Sequence, residues 1–459
     1  MVILHYTLGL PPYRSGGLTK YSKDLMVKQA EKDLRVALLY PGKYGLSRNI
    51  KIVQNKPFKG VNVFELINPN LVPLTKGIKK PKAVLEKVNQ KVYENFLREV
   101  RPTVVHLHTL MGLHVEFLFA CRKLGIQTVF TTHDYYGICP RVNLFNSNNT
   151  ICTDYNSGID CINCNRNGLS QIEIRILQSK IYKLCKKKYI VKIGKFIKEN
   201  SGKIIGKRNT EISNSRDRSS GNASDFVKFR DYYMQMLYLV DKIHYNSQLS
   251  KSVFEGYLGQ KVKAKNKVIN ITHGDIKNYP MNYYINRPAN QNLRLTYLGP
   301  YNESKGLNKL MKILQGVYES GYKNWHLSVY GDDKSVNREL ALNNVSVYGR
   351  YSYSQLNTIF AETDLLVIPS KWNETFGFIG LEALSFGVPI LVSNHVGCKD
   401  LIDPKRNGFI YNNDGDLNTL LQKFISDPKI IFEVKEAMSS DRVKEISDHV
   451  NEMVKFYSV

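Results

Sequence analysis

Residues 364–383 read DLLVIPSKWNETFGFIGLEA, and this stretch decides the fold. It opens on a continuous apolar run, which is typical of a parallel strand that is buried on both faces. After Thr375 the apolar residues recur at helical spacing, so we predict a strand, a turn that contains Gly377, and a helix. Glu374 and Glu382 flank the turn with seven residues between them. Because ligands of open parallel sheets bind at the carboxyl ends of the strands, we expect both carboxylates to line a crevice.

The same stretch resembles the ExFGxxxxE signature of retaining glycosyltransferases of family 4. The resemblance implies the GT-B fold and a nucleotide-sugar donor. The N–H groups at the start of the predicted helix favour an anionic phosphate in the crevice. Taken alone, the glutamates could be two solvated side chains beside an ordinary helix. The strand, the glycine turn, both carboxylates and the following residues 387–389 match in register, which favours the family.

Strand, glycine loop and helix patterns occur in two series, one starting at residues 2–6 and the other at residues 293–299. We therefore predict an α/β protein with two Rossmann-like doubly wound domains, and the family resemblance implies that they form the GT-B fold and face each other across a cleft. The first domain should span residues 1–285 and, as the resemblance implies, bind the acceptor. The resemblance also implies that residues 286–440 bind the nucleotide sugar and that residues 441–459 form a helix that crosses back to the first domain.

Composition limits the partners and the compartment. The 459 residues can bury two cores, and neither an amino-terminal signal pattern nor a run of eighteen apolar residues is present, so we expect a cytoplasmic protein. Lys and Arg outnumber Asp and Glu by 65 to 40, which gives a net charge of +25 and favours an anionic partner. Because no nucleic-acid-binding signature is present, nucleic acid is not expected as that partner.

A strongly basic segment at residues 172–224 carries apolar residues at helical spacing in its first part and is polar after residue 209. We interpret it as a basic helical insertion in the first domain. Such helices either lie on an anionic membrane or pack on the sheet with their lysines in water. Their place in the acceptor domain favours the membrane, so we expect a peripheral protein on the inner face that meets a lipid-linked or glycan acceptor.

Residues 299–306 resemble the GRLxxxKG phosphate loop of family 4. The resemblance makes Gly299 part of the nucleotide site and Lys305 the cation that holds the diphosphate. Pro300 stands where the family usually has arginine, so helix N–H groups or another basic residue must replace that contact. Lys305 could otherwise be an ordinary surface lysine.

The resemblance also implies roles for further residues. Glu374 should hold hydroxyls of the donor sugar, Glu382 should accept from the ribose, and His133 should face the donor sugar. The remaining donor-contacting residues are Gly16 and Gly17 in a loop on the phosphates, Phe376, Gly377 and Phe378 at the distal phosphate, and Gly349, Arg350 and Tyr351 at the base. His106 and His108 are weaker candidates for the acceptor side.

Four cysteines fall within one short segment: Cys139, Cys152, Cys161 and Cys164. A closing CxxC and four thiols suit a structural tetrahedral zinc, while reduced thiols and an iron–sulfur site are the alternatives. The segment that starts with His133, Asp134 and Tyr135 resembles a subset of family 4 enzymes in which HDY runs directly into such a cluster.

The residues and the resemblance together predict a retaining glycosyltransferase of cell-surface glycan synthesis that needs no catalytic cofactor. Front-face transfer is the favoured mechanism, in which the departing phosphate oxygen takes the acceptor proton, so no general base is assigned. A GT-B sugar-nucleotide epimerase and a non-catalytic partner subunit are the alternatives. Glu374 and Glu382 argue against the partner subunit, whereas Pro300 argues slightly for it.

Overall fold

The computed structural model describes residues 1–45, 47–179, 182, 221–259, 265–279, 292–331, 343–404 and 406–458. Most of the segment predicted to be a basic helical insertion lies outside the described residues, and so does most of the stretch around the predicted domain boundary. The chain divides into two compact units. Unit 1 comprises Met1–Ser147, Cys152–His244 and Tyr257–Asn266, and unit 2 comprises Asn148–Ile151, Tyr245–Gly256 and Lys267–Val459.

The first sheet has eight strands: β1 (Val2–Tyr6), β2 (Arg35–Pro41), β3 (Lys51–Phe58), β4 (Val61–Ile67), β5 (Val104–Leu107), β6 (Gln127–Thr131), β7 (Lys242–Tyr245) and β8 (Lys267–Val268). Their order is β3-β4-β2-β1-β5-β6-β7-β8. The pair β3–β4 is antiparallel, whereas β1 pairs parallel with both β2 and β5. The strand order reverses between β1 and β5, so the loops after these two strands border the expected binding edge.

The described residues of unit 1 form six α-helices: α1 (Gly17–Glu31), α2 (Gln90–Val100), α3 (Val115–Lys123), α4 (Ile159–Cys164), α5 (Gln171–Leu177) and α6 (Ala223–Leu239). Helix α1 buries one face that includes Tyr21, Leu25, Met26 and Gln29. This face has the 3.6-residue spacing that packs a helix on a sheet. Helix α5 starts with a capping box between Ser170 and Glu173. It is the described beginning of the basic segment.

The second sheet has six parallel strands: β9 (Leu293–Leu298), β10 (Trp325–Tyr330), β11 (Val345–Gly349), β12 (Leu365–Ile368), β13 (Ile390–Ser393) and β14 (Gly408–Tyr411). Their order is β11-β10-β9-β12-β13-β14. Numbered within this sheet, that is 3-2-1-4-5-6, the order of a doubly wound nucleotide-binding domain. The order reverses between β9 and β12, which places the expected ligand crevice after these two strands.

The other described helices are α7 (Gln248–Leu258), α8 (Leu307–Glu319), α9 (Leu356–Ala361), α10 (Phe378–Ser385), α11 (Asp414–Ser426), α12 (Lys429–Ala437) and α13 (Ile446–Ser458). Buried apolar clusters cover both faces of the second sheet, which explains the continuous apolar character of β12. Helix α13 groups with unit 2. No helix in the described parts of the chain has both the length and the apolar character needed to cross a bilayer.

An ion-pair cluster fastens the amino edge of the second sheet. Arg294 donates to Asp364 at 2.8 Å, and Lys435 Nζ lies 3.3 Å from the same carboxylate. Burial disfavours the charged form of Asp364, yet these two cations hold its pKa below the usual value. Glu362 adds an outer contact to Arg294 at 2.8 Å. Arg294 is near the start of β9 and Asp364 directly precedes β12, so the cluster lies at the end of the sheet opposite the expected crevice.

Candidate functional site

The expected crevice of unit 2 is built by the loops that follow β9 and β12. Lys305 comes from the first loop and Glu374 from the second, and Lys305 Nζ donates to Glu374 Oε1 at 2.7 Å. Ser370 Oγ donates to the other carboxylate oxygen at 2.9 Å. The backbone of Glu374 is also held, since its N–H donates to His395 O at 2.8 Å and its carbonyl accepts from Gly397 N at 2.9 Å. The carboxylate is therefore fixed from both its side chain and its backbone.

A glycine lets the two loops touch. Gly306 has φ of +74°, and a Cβ at this position would lie 1.9 Å from Pro369 O. Lys371 N also donates to Ser304 O at 2.8 Å, which joins the loops a second time. Only glycine allows this approach, so Gly306 sets the distance between Lys305 and Glu374.

Helix α10 begins directly after Gly377, which caps it with φ of +92°. A Cβ at Gly377 would lie 2.9 Å from Val396 Cγ1, so this turn also requires glycine. Phe376 is buried in the core, whereas Phe378 starts the helix and is half-buried. The first N–H groups of α10 lie at the carboxyl edge of the sheet, where a helix amino terminus favours an anion.

Glu382 contacts a histidine that the sequence pattern did not single out. His273 Nε2 lies 3.0 Å from Glu382 Oε1, and His273 is fully buried. The N–H of Asp275 donates to His273 Nδ1 at 3.3 Å, so the neutral imidazole carries its proton on Nε2 and donates it to Glu382. Phe378 packs edge-on against the same ring at 5.0 Å. The signal available in the sequence was a polar residue shortly after a strand, a position that His133 shares.

Three glycines end the neighbouring strands β9, β10 and β11. A Cβ on Gly331 would lie 2.0 Å from Gly299 O, and Gly331 N donates to the carbonyl of Gly349 at 2.7 Å. This part of the edge is therefore formed by backbone alone. Beyond Gly349, Arg350 is exposed and Tyr351 is half-buried. Burial and, to a smaller extent, the negative charge of Glu382 raise the pKa of Tyr351.

The predicted site residues of unit 1 lie at the carboxyl edge of the first sheet. Gly16 and Gly17 start α1, and a Cβ on Gly16 would meet no atom within 4 Å. His133 follows β6, is half-buried, and its Nε2 lies 3.3 Å from His108 Nδ1. His106 on β5 and His108 just after it are buried. Their assignment to the acceptor side stays a prediction.

The four clustered cysteines line one small cavity of unit 1 together with Arg230. Arg230 Nη2 donates to Cys161 Sγ at 3.5 Å. A zinc held by four thiolates has a net negative charge, which a buried guanidinium can balance, so the donor set fits a structural metal. Across the described residues, the group whose ligand atoms all lie within 4.8 Å of one another is a different one, His5, His106 and His108. The cysteine sulfurs would have to draw together to coordinate an ion.

Comparison with known sequences agrees with this geometry. The family model described as glycosyl transferases group 1 matches residues 285–441. These residues contain all six strands of the second sheet and the Lys305–Glu374 pair. Unit 2 therefore contains a group 1 glycosyltransferase domain.

Two curated relatives come from Klebsiella pneumoniae. An "Uncharacterized 41.2 kDa protein in cps region" is 28% identical over 179 residues, which is 38% of this chain and 48% of the relative. An "Uncharacterized 42.6 kDa protein in cps region" is 22% identical over 308 residues, 67% of this chain and 61% of the relative. The chain thus spans about half to three fifths of the length of these relatives.

Solved structures define the fold over the whole chain. The Anabaena HepE protein in complex with UDP and glucose is 14% identical and has a TM-score of 0.54, with 100% of this chain and 99% of that chain covered. The lipopolysaccharide outer core galactosyltransferase WaaB in its apo form is 13% identical, has a TM-score of 0.54 and is covered completely, as is this chain. At these identities the likeness concerns the fold, and it confirms the predicted GT-B architecture of two Rossmann-like domains.

Proposed function

We propose that this protein is a retaining glycosyltransferase of family 4 that moves a sugar from a nucleotide-diphosphate sugar to a lipid-linked or polysaccharide acceptor in cell-surface glycan synthesis. The observation that carries the proposal is the contact between Lys305 and Glu374 at the switch point of the second sheet. Both belong to loops that the family motifs identify, and the relatives from cps regions support a polysaccharide product.

Each group in this site has a chemical task. The departing diphosphate carries negative charge, which the ammonium of Lys305 and the N–H groups at the start of α10 stabilise. Glu374 binds hydroxyls of the donor sugar, and Glu382 binds the ribose hydroxyls. His273 donates to Glu382 and so fixes the carboxylate orientation. His133 of unit 1 contacts the donor sugar, as the family resemblance implies.

Charge in unit 1 favours an acceptor with an anionic group. Within the described residues, Nε and Nη2 of the buried Arg14 have no hydrogen-bond partner. A cavity of about 1070 Å³ beside the loops after β2 and β4 includes Arg48, Lys51, Lys87 and Arg175 in its lining. Small-molecule sites occupy about 300–1,000 Å³, so this cavity has room for several sugar units. We assign it to the acceptor, with a phosphate or carboxylate group near the basic residues.

The location at a membrane rests on the basic segment. Its described helix α5 exposes Ile172 and Ile176 one turn apart, with exposed fractions of 71% and 57%. Arg175 lies between them on the same short helix and is exposed as well. Apolar and basic side chains presented together suit the surface of an anionic membrane. A vesicle flotation assay with and without anionic lipid tests this location, and equal recovery with neutral vesicles contradicts it.

The cysteine cluster is proposed to hold a structural zinc. Four thiolates are a complete tetrahedral ligand set, and Arg230 would offset the negative charge of the bound site. Metal analysis of protein purified under reducing conditions should find about one zinc per chain. Finding neither zinc nor iron contradicts the proposal, and finding iron assigns the cluster to the alternative site.

The activity is tested with a panel of radiolabelled nucleotide sugars, each incubated with and without membrane extract as the acceptor source. Acceptor-dependent label transfer from one donor is expected. Interconversion of nucleotide sugars without an acceptor would indicate an epimerase. Donor binding in a thermal-shift screen without either reaction would indicate a non-catalytic subunit. In any active preparation, Glu374→Gln should abolish most of the transfer, and intact transfer in this variant would show that the site is wrong.

A further inference from the structure

Unit 1 buries a row of histidines in its first sheet. His5 on β1 pairs in register with His106 on β5, and His108 follows two residues later. Each of the three is at most 1% exposed. Helix α1 covers this part of the sheet and contributes Gln29, which is also buried. Polar side chains are rare in such a core unless they are hydrogen-bonded to one another.

These side chains form one continuous series of contacts. Gln29 Oε1 lies 2.7 Å from His5 Nε2. His5 Nδ1 lies 2.9 Å from His108 Nε2. His108 Nδ1 then lies 3.3 Å from Nε2 of His133. The series starts under α1 in the core and ends at a half-buried histidine at the carboxyl edge of the sheet.

The protonation states follow from burial and geometry. Burial lowers the pKa of His5 to about 4 and the pKa of His108 well below its usual value, so both rings are neutral at pH 7. A neutral imidazole has one N–H donor and one acceptor nitrogen. Because Gln29 accepts through Oε1, His5 must donate from Nε2 and accept at Nδ1. By the same logic His108 donates from Nε2, accepts at Nδ1, and receives the Nε2–H of His133.

We propose that Gln29, His5 and His108 are positioning residues that form a buried hydrogen-bonded chain and fix the tautomer and ring orientation of His133. The chain leaves the Nδ1 of a neutral His133 as an acceptor. If the amide of Gln29 were reversed, every bond would reverse and His133 would carry its proton on Nδ1. The catalytic role of the His133 tautomer rests on the proposed function. A sugar hydroxyl donates to Nδ1 when the ring carries its proton on Nε2, whereas it accepts from Nδ1 when the proton is there.

Three of the buried histidines are close enough to bind one metal ion. Ligand atoms of His5, His106 and His108 all lie within 4.8 Å of one another. A metal needs a lone pair from each coordinating nitrogen. Nδ1 of His5 and Nε2 of His108 lie 2.9 Å apart and share one proton in the chain. Coordination through this pair would expel that proton. The metal site and the chain therefore exclude each other, and the 2.9 Å contact favours the chain.

The test uses the whole protein labelled with ¹⁵N at histidine. Long-range ¹H–¹⁵N correlation spectra at pH 7.5 report the tautomer of each ring, and single His→Gln variants assign the signals. We expect Nε2–H tautomers for His5, His108 and His133. Gln29→Leu removes the final acceptor, so the three rings should show mixed tautomers and kcat should fall about tenfold with KM changed less than twofold. Gln29→Glu keeps an acceptor and should restore both the tautomers and kcat.

The matched control is Gln90→Leu in α2, where Gln90 Nε2 donates to Glu94 Oε1 at 3.0 Å, away from the histidines. It should leave the tautomers and kcat unchanged. An Nδ1–H tautomer of His133 in the wild type, or unchanged tautomers in Gln29→Leu, would overturn the proposal, and so would a copurified metal that shifts the signals of His5 and His108. If the tautomers respond to Gln29→Leu but the protein transfers no sugar, the hydrogen-bonded chain is supported and the proposed function is contradicted.

Discussion

The Lys305–Glu374 pair of unit 2 and the hydrogen-bonded histidines of unit 1 place polar groups in opposite ways. Unit 2 sets opposite charges in contact at an accessible edge, where Lys305 and Glu374 keep 20% and 14% of their side-chain surfaces exposed. Unit 1 joins neutral rings in the core, where His5 and His108 are buried almost completely. An exposed ion pair can exchange one partner for an incoming phosphate or hydroxyl. The buried chain has no such access, so it can transmit an orientation but cannot bind a ligand.

This difference predicts which property of the protein each region should control. Charges at the accessible edge should control binding and rate while contributing little to stability, because partly exposed ion pairs are weak. Neutral histidines in the core should lower the free energy of unfolding in mild acid, because they bind protons in the unfolded protein but stay neutral in the folded one. Four changes test this division, from the largest expected effect to the smallest.

Glu374→Gln should lower kcat/KM for sugar transfer by about 10²- to 10³-fold, which corresponds to about 3–4 kcal/mol. The amide keeps the shape but loses the charge that holds Lys305 and the donor hydroxyls. Initial rates with the identified donor measure the effect. Glu362→Gln is the matched control, since it removes a carboxylate paired with Arg294 at the opposite edge of the same sheet. Equal losses in the two variants would show that the effect is structural.

Acid should destabilise the buried histidines of unit 1. His5 has a folded pKa of about 4 and an ordinary pKa of 6.5, so its contribution is complete above pH 6.5 and is lost as the pH falls towards 4. The unfolding free energy should fall by about 1.4 kcal/mol per pH unit for this residue, about 3 kcal/mol over the window. Urea titrations of wild type and His5→Gln between pH 7.5 and 4 measure the difference in slope. Parallel curves would contradict the prediction.

His114 provides a matched comparison for that experiment. Burial also lowers its pKa to about 4, and its ring contacts Tyr93 Oη at 2.7 Å, outside the chain. His114→Gln should therefore reduce the acid slope as His5→Gln does, while leaving the tautomer of His133 unchanged. A changed tautomer of His133 in this variant would mean that residues outside the hydrogen-bonded chain of Gln29, His5 and His108 also fix it.

Gly306→Ala should destabilise unit 2 by about 1–3 kcal/mol and lower transfer activity, because the new Cβ meets Pro369 O and the backbone has a positive φ. Gly316→Ala is the control. Gly316 lies within α8 with no atom within 4 Å of the added Cβ, so alanine there should stabilise by about 0.5–1 kcal/mol. Thermal unfolding and initial rates separate the two. Full activity in Gly306→Ala would show that the loop contact does not position Lys305.

Glu382→Gln should raise KM for the donor about tenfold with kcat nearly unchanged, about 1.4 kcal/mol of lost binding. The amide oxygen still accepts from His273, so the fold is preserved while the charge at the ribose is lost. The control is Glu433→Gln on the exposed side of α12. A fall in kcat with constant KM would contradict the assignment of Glu382 to nucleotide binding and would indicate a role at the reacting centre.

The part of the site that sequence predicts well is local. The strand, the Gly377 turn and α10 are contiguous, and the loop that bears Lys305 carries its own glycines, so short-range spacing was sufficient to place these elements. Strand order confirms the doubly wound expectation for unit 2. The GT-B fold, predicted from two series of strands and helices together with the family resemblance, is confirmed.

Contacts between distant strands were not predictable. His273 reaches Glu382 over 109 positions, and Gln29 reaches His5 from a helix that only tertiary packing brings onto the sheet. The burial of His106 and His108 was not predictable for the same reason, since alternation along a strand does not reveal which face a helix will cover. The cysteine spacing predicted a set of four metal-binding thiols, and the four side chains line one cavity, but spacing alone could not fix the distances between the sulfurs.

The carboxyl edge of the second sheet has a floor of backbone atoms formed by Gly299, Gly331 and Gly349. This floor constrains how the protein can change over evolutionary time. Any residue larger than glycine at position 331 collides with a neighbouring carbonyl, so that position cannot accept the single substitutions by which pockets usually diverge. Under the proposed function, variation in donor preference would therefore arise from side chains that border the floor, such as Tyr351. Directed libraries aimed at a new donor should hold the glycines constant and vary that border.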